Sequence, residues 1–430
     1  MGQNIAVIGA GPMGLTVSYE LLKRGNRVTV YEADDVIGGM SASFDFSGTR
    51  IERYYHFICA GDHPFFEMLD ELEIKDKLKW KKTKMGYYYC GRLNDWGNPI
   101  ALLKFRGANL VSKFRYGLHA YFSVKRKDWN TLDHQEATTW IKKWIGEQAY
   151  EVWWKNLFDL KFYEYAHNLS AAWIWTRIKR VGSSRYDLFN EKLGYLEGGS
   201  ETLFDALRQR INHLGGTIRL NAPVRKVRTE NGSVTGVEVD ATFYHHDVVV
   251  STVPVPYVSF LVPELPEETA RKFGDLKNIA VVCVIVKLKK KVTGNFWVNV
   301  NDKRMDIPGL VEYTNLRSLD CTIVYVPFYL PGEHPKYRDS DDVFIRKVKK
   351  YIMTINPEIT GEDFIDIRAS RYRYAQPICE PGYLDKLPPV KLSVNGLYVA
   401  DTSYYYPEDR GISESIRFAR EMTEMIEKAG

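Results

Sequence analysis

The chain has 430 residues, 45% hydrophobic and 26% charged, which supplies a large core and argues against a disordered, fibrous or repeat protein. Its 59 basic and 54 acidic residues are well mixed and leave a net charge of +5, so no nucleic-acid partner is implied. Five cysteines (Cys59, Cys90, Cys283, Cys321, Cys379) show no C-x-x-C spacing, and His, Asp and Glu form no ligand-like cluster. This argues against a disulfide framework, a redox dithiol or a metal site.

In chain order, 5–8 is a short apolar run ending in glycine, as in a strand buried on both faces. A helix follows: Pro12 suits its first position, Leu15, Tyr19 and Leu22 recur at helical spacing, and Gly25 suits its end. A second strand is expected over 27–31. The stretch 76–189 is rich in Trp, Lys and Arg at helical spacing, for example over 139–145 and 150–161, and predicts a helical insertion. A helix over 201–214 and strands over 217–220, 224–229, 234–239 and 247–252 return to α/β, with Asn231-Gly232 as a hairpin turn. Long β-branched runs over 279–288 and 321–329 predict a mixed or antiparallel sheet. A short strand over 396–400 and an amphipathic helix over 413–428 complete the pattern.

The expected fold is α/β. A Rossmann-like dinucleotide-binding domain is assembled from 1–75, 190–254 and 374–430, with a helical insertion or substrate lid over 76–189 and a substrate-binding sheet domain over 255–373. The first residues carry no basic leader region, and no uncharged apolar run reaches 18 residues. A cytoplasmic setting is expected, with peripheral membrane contact left open.

Gly9-Ala10-Gly11-Pro12-Met13-Gly14 matches G-x-G-x-x-G. Composition alone yields roughly 0.2 such matches in a chain like this, so the motif counts only because a strand precedes it and a helix follows. In that setting Gly9 permits the turn, Gly11 lets backbone approach a pyrophosphate, and Gly14 allows close helix–strand packing. The helix start offers free N–H groups and a positive dipole end. Glu32 closes the second strand, where a carboxylate accepts hydrogen bonds from ribose hydroxyls. Gly38-Gly39-Met40-Ser41 follows within a few residues and favours FAD over NAD, because a double glycine there lets a second loop close over the pyrophosphate. Among Gly194, Gly198-Gly199 and Gly215-Gly216 no second fingerprint appears, which argues against a dedicated NADPH domain.

With these residues the N-terminal segment resembles the flavoprotein group that includes monoamine oxidases, protoporphyrinogen oxidases, phytoene desaturases and, more distantly, UDP-galactopyranose mutases. The resemblance implies FAD as cofactor. It also implies that Val224 sets backbone against the adenine and that Asp401, Arg410, Gly411 and Ile412 bring the chain back to the cofactor. Where the group shows Gly-Asp, this sequence has Ala400-Asp401. A helix starting near Gly411 directs its positive end at the flavin pyrimidine edge, where charge accumulates on reduction.

Candidate catalytic residues are Tyr55 and His56, which follow the double-glycine loop, and Arg371. His56 has two readings, a general base and a structural histidine in an aromatic core. Lys161, Tyr163, Trp173 and Arg177 concentrate aromatic and basic character suited to an extended organic substrate, although tryptophans at helical spacing also serve as plain core. The segment 101–128 alternates Lys104, Arg106, Lys113, Arg115 and Lys125 with Leu103, Leu110, Phe114 and Phe122, as a membrane-touching face would or a solvated helix would. The expected function is oxidation of a C–N or C–C bond, with electrons passing to oxygen or another acceptor. The competing functions are a sugar mutase, in which Arg371 and Arg373 meet a nucleotide diphosphate, and a non-catalytic FAD-binding protein.

Overall fold

The structure, a computed structural model, describes residues 2–185 and 190–429. The apolar run near the N-terminus becomes the strand Asn4–Ile8, central in a five-stranded parallel sheet. Val248–Ser251 and Leu397–Val399 lie on one side of it, and Arg27–Tyr31 and Thr217–Arg219 on the other. Ile5, Ala6 and Val7 are fully buried, as continuous apolar parallel strands require. The helices Pro12–Lys23 and Ile412–Ala429 pack together against this sheet. Because the chain leaves the central strand toward both sides, a crevice opens beyond the carboxyl end of Asn4–Ile8. The predicted hairpin is the centre of a three-stranded antiparallel sheet, Val224–Glu230, Ser233–Val239 and Thr242–His245, with Asn231 in the left-handed region.

The second domain is a seven-stranded mixed sheet in which Asn278–Leu288 pairs antiparallel with Thr322–Pro331. Alternation assigns its faces. Val282, Val284, Val286, Val324 and Val326 pack under the helix Asp341–Ile355, whereas Val281, Cys283, Tyr325 and Tyr329 point the other way, toward the dinucleotide domain.

Two boundaries differ from the sequence expectation. The segment 76–189 is not purely helical: Met85–Tyr89 and Arg92–Trp96 complete the seven-stranded sheet through a parallel pairing with Trp297–Asn301, and Leu78–Thr83 pairs with Glu191–Leu196. These strands are rich in Lys and Tyr, and their strand character comes from edge pairing rather than from an apolar run. The strand Phe364–Pro377 also runs through the expected break at 373/374.

Candidate active site

A cavity of about 790 Å³ lies between the parallel sheet and the mixed sheet. Gly9, Gly11, Pro12, Met13, Glu32, Gly39, Met40 and Val224 line one end, from segments distant in sequence. Gly14 and Gly38 shape that end without lining it. A Cβ at Gly14 would lie 1.9 Å from the Gly9 carbonyl oxygen, so only glycine lets the helix approach the turn. Gly38 has φ 109°, in the left-handed region, and a Cβ there would meet the Phe204 ring at 2.9 Å. By contrast, a Cβ on Gly11 would meet nothing within 4 Å, and Gly39 sits opposite it, 3.4 Å from its Cα by the same construction. Two glycine loops therefore face each other across a slot that any side chain would fill. No side chain caps the helix Pro12–Lys23 among the described residues.

Glu32 is held rigidly. Its Oε2 accepts from the Ala10 N–H at 2.6 Å and its Oε1 from the Asp34 N–H at 2.9 Å, which sets the carboxylate at the cavity edge. At the same end, the Ala222 N–H donates to the Glu32 carbonyl and fixes the approach to Val224. Asp401 accepts from the Val255 and Ser403 N–H groups, both at 2.8 Å, and burial raises its carboxyl above the usual range. It clamps the end of Leu397–Val399 to the loop after Val248–Ser251.

Beyond this end, Arg410, Gly411 and Ile412 reach the cavity just before the helix Ile412–Ala429. The Arg410 Nη1 and the Ser413 Oγ are buried and find no partner among the described residues. Buried donors in that state call for an acceptor. An open slot between glycine loops, an uncapped helix start, a fixed carboxylate and these orphaned donors fit a dinucleotide cofactor, with phosphates at the glycine loops and a polar ring edge near Arg410.

His56 also lines the cavity. Its Nε2 lies 3.0 Å from the Ser41 Oγ, its Nδ1 has no partner among the described residues, and burial lowers its pKa, so the ring is neutral near pH 7. Tyr55 packs edge-on against Trp297 and Tyr325, and burial raises its hydroxyl well above the usual range. Lys161 reaches the cavity from the helix Asn156–Phe162.

Other expected substrate residues are placed elsewhere. Tyr163, Trp173, Arg177 and Arg373 do not line the cavity. Trp173 is core, with Arg177 stacked on it at 3.9 Å and paired with Asp409 at 2.8 Å. Tyr163 packs on His334, and Arg373 pairs with Glu333 at the surface. Arg371 touches the cavity rim, but its donors go to Asp341 and to the Tyr337 and Asp339 carbonyls. The sequence reading missed Arg180, one turn beyond Arg177, which does line the cavity and pairs with Asp62 at 3.1 Å. It also missed Asp409 and Tyr329. Only the i, i+3 spacing from Arg177 could have pointed to Arg180.

The profile of flavin-containing amine oxidoreductases matches residues 14–408. The chain belongs to that family. It is accordingly an FAD-dependent oxidoreductase. The 15-cis-phytoene desaturase of Capsicum annuum is 25% identical over 443 residues, covering 92% of this chain and 73% of that protein. The chain spans about two thirds to three quarters of the length of the desaturases it matches. Among solved structures, reduced UDP-galactopyranose mutase superposes with TM-score 0.76 at 14% identity, covering 100% of this chain and 96% of that one. Putrescine oxidase bound to putrescine gives 0.73 at 16%, covering 100% and 99%. At such identities the likeness is one of fold. FAD supplies the two-electron acceptor when bound, and Tyr55, His56 and Lys161 line the same cavity as the glycine loops.

Proposed function

We propose that the protein dehydrogenates a carbon–carbon bond of an extended, lipophilic organic substrate. The observation that carries this reading is the wall opposite the glycine loops. Val281, Cys283, Trp297, Tyr313 and Tyr329 line it from the mixed sheet, and that sheet contributes no carboxylate to the cavity. The carboxylates that an ammonium substrate would need in this compartment already face guanidinium groups: Asp62 faces Arg180, Asp409 faces Arg177, and Glu52 lies 3.8 Å from Arg317. An apolar chain fits such a wall without needing a counter-charge from it. The match to proteins named as desaturases supports the same choice. The mutase alternative draws no support from Arg371 and Arg373, whose donors are engaged within the sheet domain.

In this reading the substrate comes from a membrane surface. On the helix Leu110–Lys125, Leu110, Val111 and Phe114 are 72%, 68% and 68% exposed, and Leu103 on the preceding helix Pro99–Lys104 is 62% exposed. Lys104 and Arg106 are exposed near Leu103, and Lys125 and Lys127 toward the other end of the helix. Exposed apolar side chains interspersed with cations suit an anionic bilayer interface. Among the described residues no helix is long and apolar enough to cross a membrane. The same helix connects to the cavity wall: the Trp175 Nε1 donates to the Ser123 carbonyl at 2.8 Å, from the helix Ala171–Ser183 that carries Arg180.

Anaerobic mixing of the yellow protein with candidate substrates tests the chemistry. Bleaching by polyene or isoprenoid chains supplied in liposomes, and not by primary amines, is expected. Reoxidation by oxygen or only by quinone-type acceptors then identifies the electron acceptor. Bleaching by amines alone, or turnover only after chemical reduction with no net oxidation, would replace the reading with an amine oxidase or a mutase.

A further inference from the structure

Lys161 is a cationic side chain set in the cavity without a polar partner. It makes no hydrogen bond and no ion pair among the described residues, and its amine lies 5.0 Å from the Tyr329 ring centroid and 5.6 Å from that of Phe162. A lysine that lines a cavity without a counter-charge is uncommon. The charged groups around it are Arg177 from the helix Ala171–Ser183 and Asp409 and Arg410 from the loop before Ile412–Ala429, and the Tyr329 ring faces it from the sheet. Asp409 is the one carboxylate among these, and it accepts from the Arg177 Nη2 at 2.8 Å, the Gln376 Nε2 at 3.0 Å and the Arg410 N–H at 3.0 Å. The carboxylate near the amine is thus already engaged by other donors.

The backbone around it is also irregular. A π-helical turn, Glu151–Lys155, precedes the short helix that carries Lys161, and Tyr163, two residues after it, has φ 53° and ψ −126°. A π-turn and a bulky residue at positive φ are each costly, and they persist where they aim a side chain.

We infer that Lys161 is the base that accepts the substrate proton in the oxidation. The inference rests on the dehydrogenation reading above. One C–H bond breaks with its electron pair passing as hydride to oxidised FAD. The C–H bond on the adjacent carbon gives its electrons to the new double bond, and its proton goes to the lone pair of the Lys161 amine. The resulting ammonium, flanked by Arg177 and Arg410, is disfavoured and releases the proton to solvent once product leaves. The same surroundings, burial foremost, then Arg177 and Arg410 against the opposing Asp409, hold the amine well below the usual lysine range and favour the neutral form that a base needs.

Competitive reductive methylation of the FAD-loaded full chain, with formaldehyde and cyanoborohydride at a series of pH values and quantification by peptide mass spectrometry, tests this without knowledge of the substrate. The modification midpoint of Lys161 is expected clearly below that of the exposed lysines. Lys161→Met is expected to retain FAD, read from its visible absorbance, so that loss of the base is separable from loss of the cofactor. A Lys161 midpoint equal to that of surface lysines would show an ordinary charged side chain and overturn the inference. So would absence of labelling at every pH, because an amine closed to formaldehyde is closed to substrate. A protein that binds no FAD would instead overturn the functional reading itself.

Discussion

The two ends of the cavity are built from different materials. The end at Gly9–Gly14 and Gly38–Gly39 is made of backbone: its shape depends on missing side chains, and Glu32 is fixed by main-chain donors. The end at Tyr55, Lys161 and Tyr329 is made of rings and buried charges delivered by separate elements. A backbone-built site tolerates almost no substitution at its glycines, whereas a side-chain-built site can be retuned one group at a time while the fold stays intact. In the proposed reading the same contrast separates what holds the cofactor from what selects a substrate.

The largest effect is expected from Gly14→Val. With the first added carbon 1.9 Å from the Gly9 carbonyl oxygen, the helix must move off the sheet. A loss of about 3 kcal/mol and of bound FAD follows, measured by denaturant unfolding and visible absorbance. Wild-type FAD content in this variant would show that the backbone-built end is not the cofactor end.

Next is a pH effect in the helical region. Burial beside Trp140 and Trp144 lowers His119 to about 4. Its folded pKa lies below the unfolded value of about 6.5, so the unfolded chain binds the extra proton in between, and stability is lost as pH falls through that window. Fully developed, the loss is about 3 kcal/mol, from the two-and-a-half-unit difference. His119→Leu should flatten the stability profile between about pH 6.5 and 4, and an unchanged slope would assign the acid sensitivity elsewhere.

Glu32→Arg should weaken FAD binding more than tenfold, from loss of charge-assisted hydrogen bonds worth about 1.5–3 kcal/mol. Because the carboxylate also orders the Ala10 and Asp34 amides, Glu32→Gln should lie between the two proteins in an FAD titration. Equal affinity in all three would place the ribose away from Glu32.

The smallest effect tests the junction of the two ends. A carboxylate introduced by Gly411→Asp opposes the positive end of the helix Ile412–Ala429, but it would lie close to Arg180, whose Nη2 is 3.8 Å from the Cβ position. A fall in flavin potential on the order of 20 mV is expected, with Gly411→Asn unchanged, in a dye-coupled titration. Equal potentials would mean that the helix end does not face the ring.

This division also explains which residues the sequence made legible. Gly9 to Gly14, Glu32, Gly38-Gly39 and Asp401 stand next to strand ends that their own apolar runs announce, so a local pattern reveals them. Arg177 and Arg180 look alike in sequence, yet one stacks on Trp173 and the other reaches the cavity, because the rotation of their helix is set by packing against Leu110–Lys125. Met85–Tyr89 pairs with Arg92–Trp96 nearby, but its place in the seven-stranded sheet depends on Trp297–Asn301, more than two hundred residues away.

By itself the sequence determined the parallel sheet, the glycine turn, the acidic end of the second strand and the closing helix, because each depends on short-range periodicity and on backbone conformations that only particular residues adopt. Only the tertiary structure decided which rings and charges share the cavity, that Asp409 is spent on Arg177, and that the Lys161 amine is left unpaired. Those outcomes depend on distances between residues remote in the chain, and a buried charge acquires its chemistry from whatever the fold sets beside it.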